Sequence, residues 1–213
     1  MIKYIIIIFL FIFTNISLSK DISWYDLELR NNLFYEKGKN IPFTGEIKSN
    51  RNGKIINGMK EGAWLEYWSE GKISSLTNYK NGKYNGEYFS YYKNGQLNVK
   101  TYYKNGKKEG DFFDYYQTGQ LNWREFYKNG KVDGTSIIYH ENGNLWYRTN
   151  FKEGVRHGIY QKFNINGKLI EEKTYVDGNI DGEWVKYNND GELFDIKIYK
   201  DGVLIKNWNS KFK

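Results

Sequence analysis

The side chains able to do chemistry are few, and most of them fall in rows. His140 and His157 are the two histidines; they stand at unlike positions of the local pattern and read as surface turn or strand residues. Cysteine is absent, which excludes disulfides, thiolate metal ligands and a cysteine nucleophile. Glycine precedes lysine at seven places, as at Gly82-Lys83, but no Ser or Thr follows, so there is no phosphate-cradling loop of the Walker type. Glu66, Asp114 and Glu183 are expected to face solvent, with no buried partner to shift their titration. These residues predict no catalytic centre, no metal site and no cofactor site.

Lysines and aromatics do recur. Lys80, Lys104, Lys128, Lys152 and Lys200 share one column, with Lys83, Lys107 and Lys131 three residues on. Stacked hairpins would repeat such a lysine every ~9.6 Å along one edge of a sheet. Such a ridge serves solubility and edge protection, or holds an anionic lipid surface or polysaccharide through weak, salt-sensitive contacts. Trp64, Tyr88, Phe112, Tyr160 and Trp184 share a second column, joined by Trp68, Tyr92 and Tyr116. These rings form either an exposed stripe that stacks on sugars or takes a partner protein, or an inner wall if the sheet curls.

The elements that position these rows repeat without slip. Glycines at 58, 82, 106, 130, 154, 178 and 202 are 24 residues apart, and two further glycine columns, from Gly62 and from Gly71, keep the same period. A fixed period of this length marks a repeat array in which each unit leans on its neighbours. Within a unit, runs rich in aromatic and β-branched residues flank Asn-Gly, as in Gly-Glu-Tyr-Phe-Ser-Tyr-Tyr, Lys-Asn-Gly, Gln-Leu-Asn-Val from Gly86 to Val99. That is a hairpin signal.

A three-residue loop closed by Gly95 would pair Tyr92 with Gln96. It would gather the columns of Tyr67, Ile73 and Tyr79, repeated every 24 residues, on one core face. The predicted fold is all-β: an elongated, single-sheet antiparallel meander of stacked hairpins, each joined to the next through a Gly-x-x-x-Gly connection such as Gly106 to Gly110.

Residues 58–202 hold six full units. Residues 20–57 form an N-terminal cap with an abbreviated unit, in which Gly53 stands in for the middle glycine and Ser23 to Leu29 form a strand or a short helix. Residues 203–213 form a closing strand whose lysines discourage further pairing. Residues 1–19 read as an export signal: Lys3 gives the positive start, Ile5 to Phe13 the apolar run, and Ser17-Leu18-Ser19 the cleavage site. Export to periplasm, cell surface or medium follows. Removal of Lys3 would lower the formal charge from +7 to +6, and the mean hydropathy of −0.77 fits an ordered but hydrophilic chain. A basic exported protein points to envelope partners and away from nucleic acid.

The pattern Tyr-x-Asn-Gly-Lys-x-x-Gly-x-aromatic-x-x-Tyr-x-x-x-Gly-x-Leu resembles the MORN repeat variant from Gly45 to Gly202. The entry segments Asn31 to Tyr35 and Pro42 to Glu46 are similar to leaders of such arrays. The resemblance implies a β-hairpin array and no residue-level site. It also implies, through the labels such proteins often carry, an antitoxin or immunity-like role, or binding to membranes or partner proteins. The reading that best fits all these features is an exported, non-enzymatic scaffold that binds proteins or envelope components. Peripheral binding through the lysine ridge and the antitoxin role are the alternatives.

Overall fold

A computed structural model of the chain describes residues 21–209, so the segment read as an export signal lies outside the described residues. Two kinds of turn alternate and set the architecture. At Asn105-Gly106 both residues are left-handed, φ 51° and 82°, and Lys104 faces Lys107 across a two-residue loop. This geometry follows the right-handed twist of its strands, and Asn-Gly tolerates it best. At the other turn Tyr92 N–H donates to the Gln96 carbonyl at 2.9 Å and Gly95 has φ 90°, the three-residue loop expected from the sequence.

The strands are β1 (Asp21–Ile22), β2 (Leu27–Arg30), β3 (Leu33–Glu36), β4 (Gly45–Lys48), β5 (Arg51–Ile56), β6 (Met59–Tyr67), β7 (Ile73–Lys80), β8 (Lys83–Tyr91), β9 (Leu97–Lys104) and β10 (Lys107–Tyr115). They continue as β11 (Leu121–Lys128), β12 (Lys131–Val132), β13 (Gly134–Tyr139), β14 (Leu145–Lys152), β15 (Val155–Phe163), β16 (Leu169–Val176), β17 (Asn179–Tyr187), β18 (Leu193–Lys200) and β19 (Val203–Asn209). All except β2 and β3 join one sheet of 17 strands. From β4 to β19 each strand pairs antiparallel with its neighbour in sequence. β12 and β13 are two pieces of one line against β11, and β1 lies parallel beside β4. The all-β single-sheet meander is therefore the observed fold.

Ser23 to Leu29 forms both of the structures weighed for it: a single 3-10 turn, Trp24–Asp26, capped by Ser23, and then β2. The β2–β3 hairpin and Trp24 lie on one face of the first sheet strands. There Ile22, Leu27, Phe43, Ile47, Ile55 and Trp64 form the one cluster of buried apolar side chains among the described residues. Backbone bonds from Phe34 N–H to the Gly58 carbonyl and from Gly58 N–H to the Phe43 carbonyl, both 2.8 Å, fasten the cap to the first turn.

Three expectations need correction. Gly110 belongs to no connection: the link is the two-residue turn at Asn105-Gly106, and Gly110 sits four residues further on, where the β9–β10 register shifts. Gly53 is mid-strand, opposite Ile47, and closes no turn.

The third correction concerns the core face. After each three-residue loop one residue bulges, as Asn98 does between the pairs Tyr91–Leu97 and Ser90–Val99. A one-residue slip turns every following side chain to the other face. The Tyr67 and Ile73 columns therefore share one face, here called the open face. The Tyr79 column joins Trp64 on the capped face, with ring centroids 6.2 Å apart.

Candidate binding surface

The capped face is a ladder of rings. Trp24 meets Trp64 at 5.8 Å, Trp64 meets Tyr79 at 6.2 Å, Tyr79 meets Tyr84 at 5.0 Å, and Tyr84 meets Tyr103 at 5.0 Å. Tyr88 stands 6.0 Å from Tyr103, and Phe112 packs on Trp123 and Tyr127 at 5.1 and 6.0 Å. Edge-to-face contacts of this kind contribute about 0.5–1.5 kcal/mol each beyond the area they bury. Trp64 and Phe112 are 1% and 6% exposed, so they offer solvent no ring face. Of the two readings of their column, the inner wall is the one the geometry takes, and the bulges are the reason.

Lysines complete this wall. Lys60 Nζ lies 4.3, 4.8 and 5.0 Å from the ring centroids of Trp64, Tyr79 and Trp24. Lys108 lies 4.0 Å from Phe112 and 4.7 Å from Tyr127, and Lys173 sits between Tyr160 and Trp184 at 4.6 and 4.5 Å. Burial pushes the Lys60 ammonium down from 10.5 to about 8, with attraction to Glu66 opposing and repulsion from Arg51 assisting. Burial lowers Lys108 as well, and raises the phenols of Tyr79, Tyr103, Tyr127 and Tyr160. Ring faces attract a cation, so they offset part of the cost of burying these ammonium groups.

Carboxylates that no residue pattern singles out are enclosed by this wall. Glu125, 4% exposed, accepts a hydrogen bond from Tyr127 Oη at 2.7 Å, and Asp195 is 8% exposed. Asp114, expected in solvent, is half-buried; burial raises its pKa, and Asn122 Nδ2 donates to it at 2.6 Å. Glu66 is also half-buried and pairs with Arg51 at 3.4 Å, whereas Glu183 is exposed as expected.

Trp68, Tyr92 and Tyr116 stand at the three-residue loops, all half-buried. Tyr92 Oη donates to the Tyr115 carbonyl at 2.8 Å and Tyr116 Oη to the Tyr139 carbonyl at 2.6 Å, each bond joining one unit to the next. His140 holds the same place one unit on: its Nε2 is 3.4 Å from the Phe163 carbonyl and its ring stacks on Trp146.

The opposite edge has its own zipper, built on the two-residue turns. Asn81 N–H donates to Glu61 at 2.8 Å, Asn105 N–H to Asn85 at 3.1 Å, Asn129 N–H to Glu109 at 2.7 Å and Asp177 N–H to His157 at 3.4 Å. Both histidines thus take a repeating structural role that their unlike positions concealed.

The open face is left over, and among the described residues no element covers it. Tyr67, Tyr91 and Tyr115 line it together with Leu97 and Leu121, all half-buried. Ile73, Tyr102, Phe126, Ile159 and Leu193 on the same face are 39–46% exposed. Lys80, Lys104, Lys128, Lys152 and Lys200 stand exposed along the edge of two-residue turns.

A one-layer sheet of hairpins coupled unit to unit defines the class: a β-repeat scaffold. Four segments, residues 60–81, 84–107, 132–153 and 156–177, match the family model described as the MORN repeat variant. Each runs from one two-residue turn to the next across a three-residue loop, and the same registers recur at 108–131 and 180–203, between the matches and after them. No curated protein matches the chain at a significant level.

Proposed function

We propose that this chain is an exported, non-enzymatic scaffold that holds a partner protein or an envelope component against the open face of its sheet. One observation carries the reading: two of the three most regular apolar columns, those of Tyr67 and Ile73, lie on a face over which nothing packs among the described residues. Apolar side chains left uncovered on a sheet face, here interspersed with Lys100, Asp111 and Arg124, suit an interaction site. The histidines support the non-enzymatic part, since both serve the joints between units.

Photo-crosslinking distinguishes the faces. A photoreactive residue at Phe126, on the open face, should capture partners from envelope extracts, and one at Thr101, on the capped face, should not. Capture from Thr101 alone, or turnover of an envelope substrate by the purified protein, would contradict the reading. A tight one-to-one complex with a single soluble protein would favour the antitoxin or inhibitor role instead.

The lysine edge favours a second reading, peripheral binding of an anionic polymer or bilayer. It uses a different surface and does not depend on the first.

A further inference from the structure

At three successive turns the ladder sets lysine directly across from lysine: Lys80 opposite Lys83, Lys104 opposite Lys107 and Lys128 opposite Lys131. Like charges placed opposite each other destabilise a strand pair. All six are exposed, and none is in an ion pair among the described residues. Their six charges nearly equal the formal +7 of the whole chain.

The ridge is not the even row expected from the sequence. At the next three turns Glu153, Asp177 and Asp201 replace the neutral Asn81, Asn105 and Asn129 at the first left-handed position. Lys152 and Lys200 face Val155 and Val203, and Lys200 is drawn to Asp181 at 2.9 Å. Of the carboxylates beside the basic half, Glu61 and Glu109 are turned to the turn amides of Asn81 and Asn129, while Asp133 and Glu153 share a groove with Lys128 and Lys131 at its boundary. Paired lysines are therefore concentrated on one half of one edge.

We propose that the turns at residues 80–83, 104–107 and 128–131 bind a linear acidic polysaccharide, one anionic group to each lysine pair. The proposal rests on the second reading above and gives its ligand. Strand spacing puts successive pairs ~10 Å apart, a separation of the same order as the disaccharide repeat of such a polymer. The side chains of these turns are Lys, Asn and Gly only, with nothing apolar to enter an acyl layer, which favours a soluble chain over a bilayer. The exposed amides of Asn81, Asn105 and Asn129 add donors suited to carboxylate and hydroxyl oxygens. Each contact is weak and screened by salt, and three in register raise the affinity by effective concentration.

The test uses oligogalacturonates of increasing length, with polyphosphate and phosphatidylglycerol vesicles as the other anions. Affinity for the oligogalacturonates should rise with length until three pairs are spanned, and then level off. Changing all six ridge lysines to Gln should weaken binding by on the order of tenfold or more. A control with the same net charge, Gln at Lys37, Lys39, Lys54, Lys72, Lys93 and Lys168, should lose far less.

Equal losses in the two variants would reduce the effect to net charge and overturn the ridge. Polyphosphate or vesicles binding as tightly, with the same dependence on the ridge, would keep the anionic reading and overturn the polysaccharide. No binding to any of the three anions would overturn both.

Discussion

The indole of Trp64 lies flat on the backbone of Gly53: a β-carbon at that glycine would fall 2.3 Å from the ring. The same indole donates its N–H to the Lys54 carbonyl at 3.2 Å and forms the floor of the capped cluster. Gly53→Ala should therefore destabilise the protein by about 1–3 kcal/mol, the usual cost of overpacking. Urea unfolding followed by tryptophan fluorescence checks this. An unchanged midpoint would mean that Trp64 is not seated as described.

The bonds from Tyr92 and Tyr116 to the next unit's backbone should act as independent staples. Tyr92→Phe and Tyr116→Phe should each cost about 0.5–1.5 kcal/mol, and the double variant should show close to the sum if coupling is carried between neighbouring units. Wild-type stability in either single variant would show that the hydroxyls do not hold the units together.

Lys60, with its pKa lowered to about 8, binds fewer protons in the folded state than in the unfolded state between about pH 8 and 10.5. Stability follows the excess of protons bound by the unfolded chain, so this group costs stability below pH 8 and the cost is relieved as pH rises through that window. Relative to Lys60→Met, the wild type should gain stability from pH 7.5 to 9.5. Reductive 13C-methylation should show one lysine titrating well below the rest. Titration of every lysine in the ordinary range would remove the basis of the expectation.

β19 ends the ladder with Val203, Leu204 and Ile205 at 63%, 47% and 63% exposure, and among the described residues no strand pairs with its outer edge. Lys206 is the one charged residue of that strand, and edge lysines oppose strand addition. Lys206→Val should promote self-association, seen as a concentration-dependent rise in mass by sedimentation. A variant that stays monomeric at high concentration would show that other features protect the edge.

How far the fold could be read from residues depended on whether a residue carries its own backbone preference. Asn105-Gly106 and Gly95 announce left-handed positions, so strands, turns and the 24-residue period were legible. Asn98 carries no such mark, yet its bulge decides that Tyr103 joins Tyr84 and Tyr88 on the capped face. The ridge was legible as a column of lysines. Its division into a basic and a mixed half depends on which residues face them across the turn, Lys83, Lys107 and Lys131 against Val155 and Val203, and on Asp181 reaching Lys200.

Scattering measures the central claim, that these hairpins form an open one-layer ribbon offering surface and not a cleft. Sixteen strand positions at ~4.8 Å give a ribbon about 70 Å long and a radius of gyration of about 23 Å, against about 16 Å for a compact domain of this size. Small-angle X-ray scattering of the purified protein, extrapolated to infinite dilution, should return the larger value. A radius near 16 Å would contradict the account.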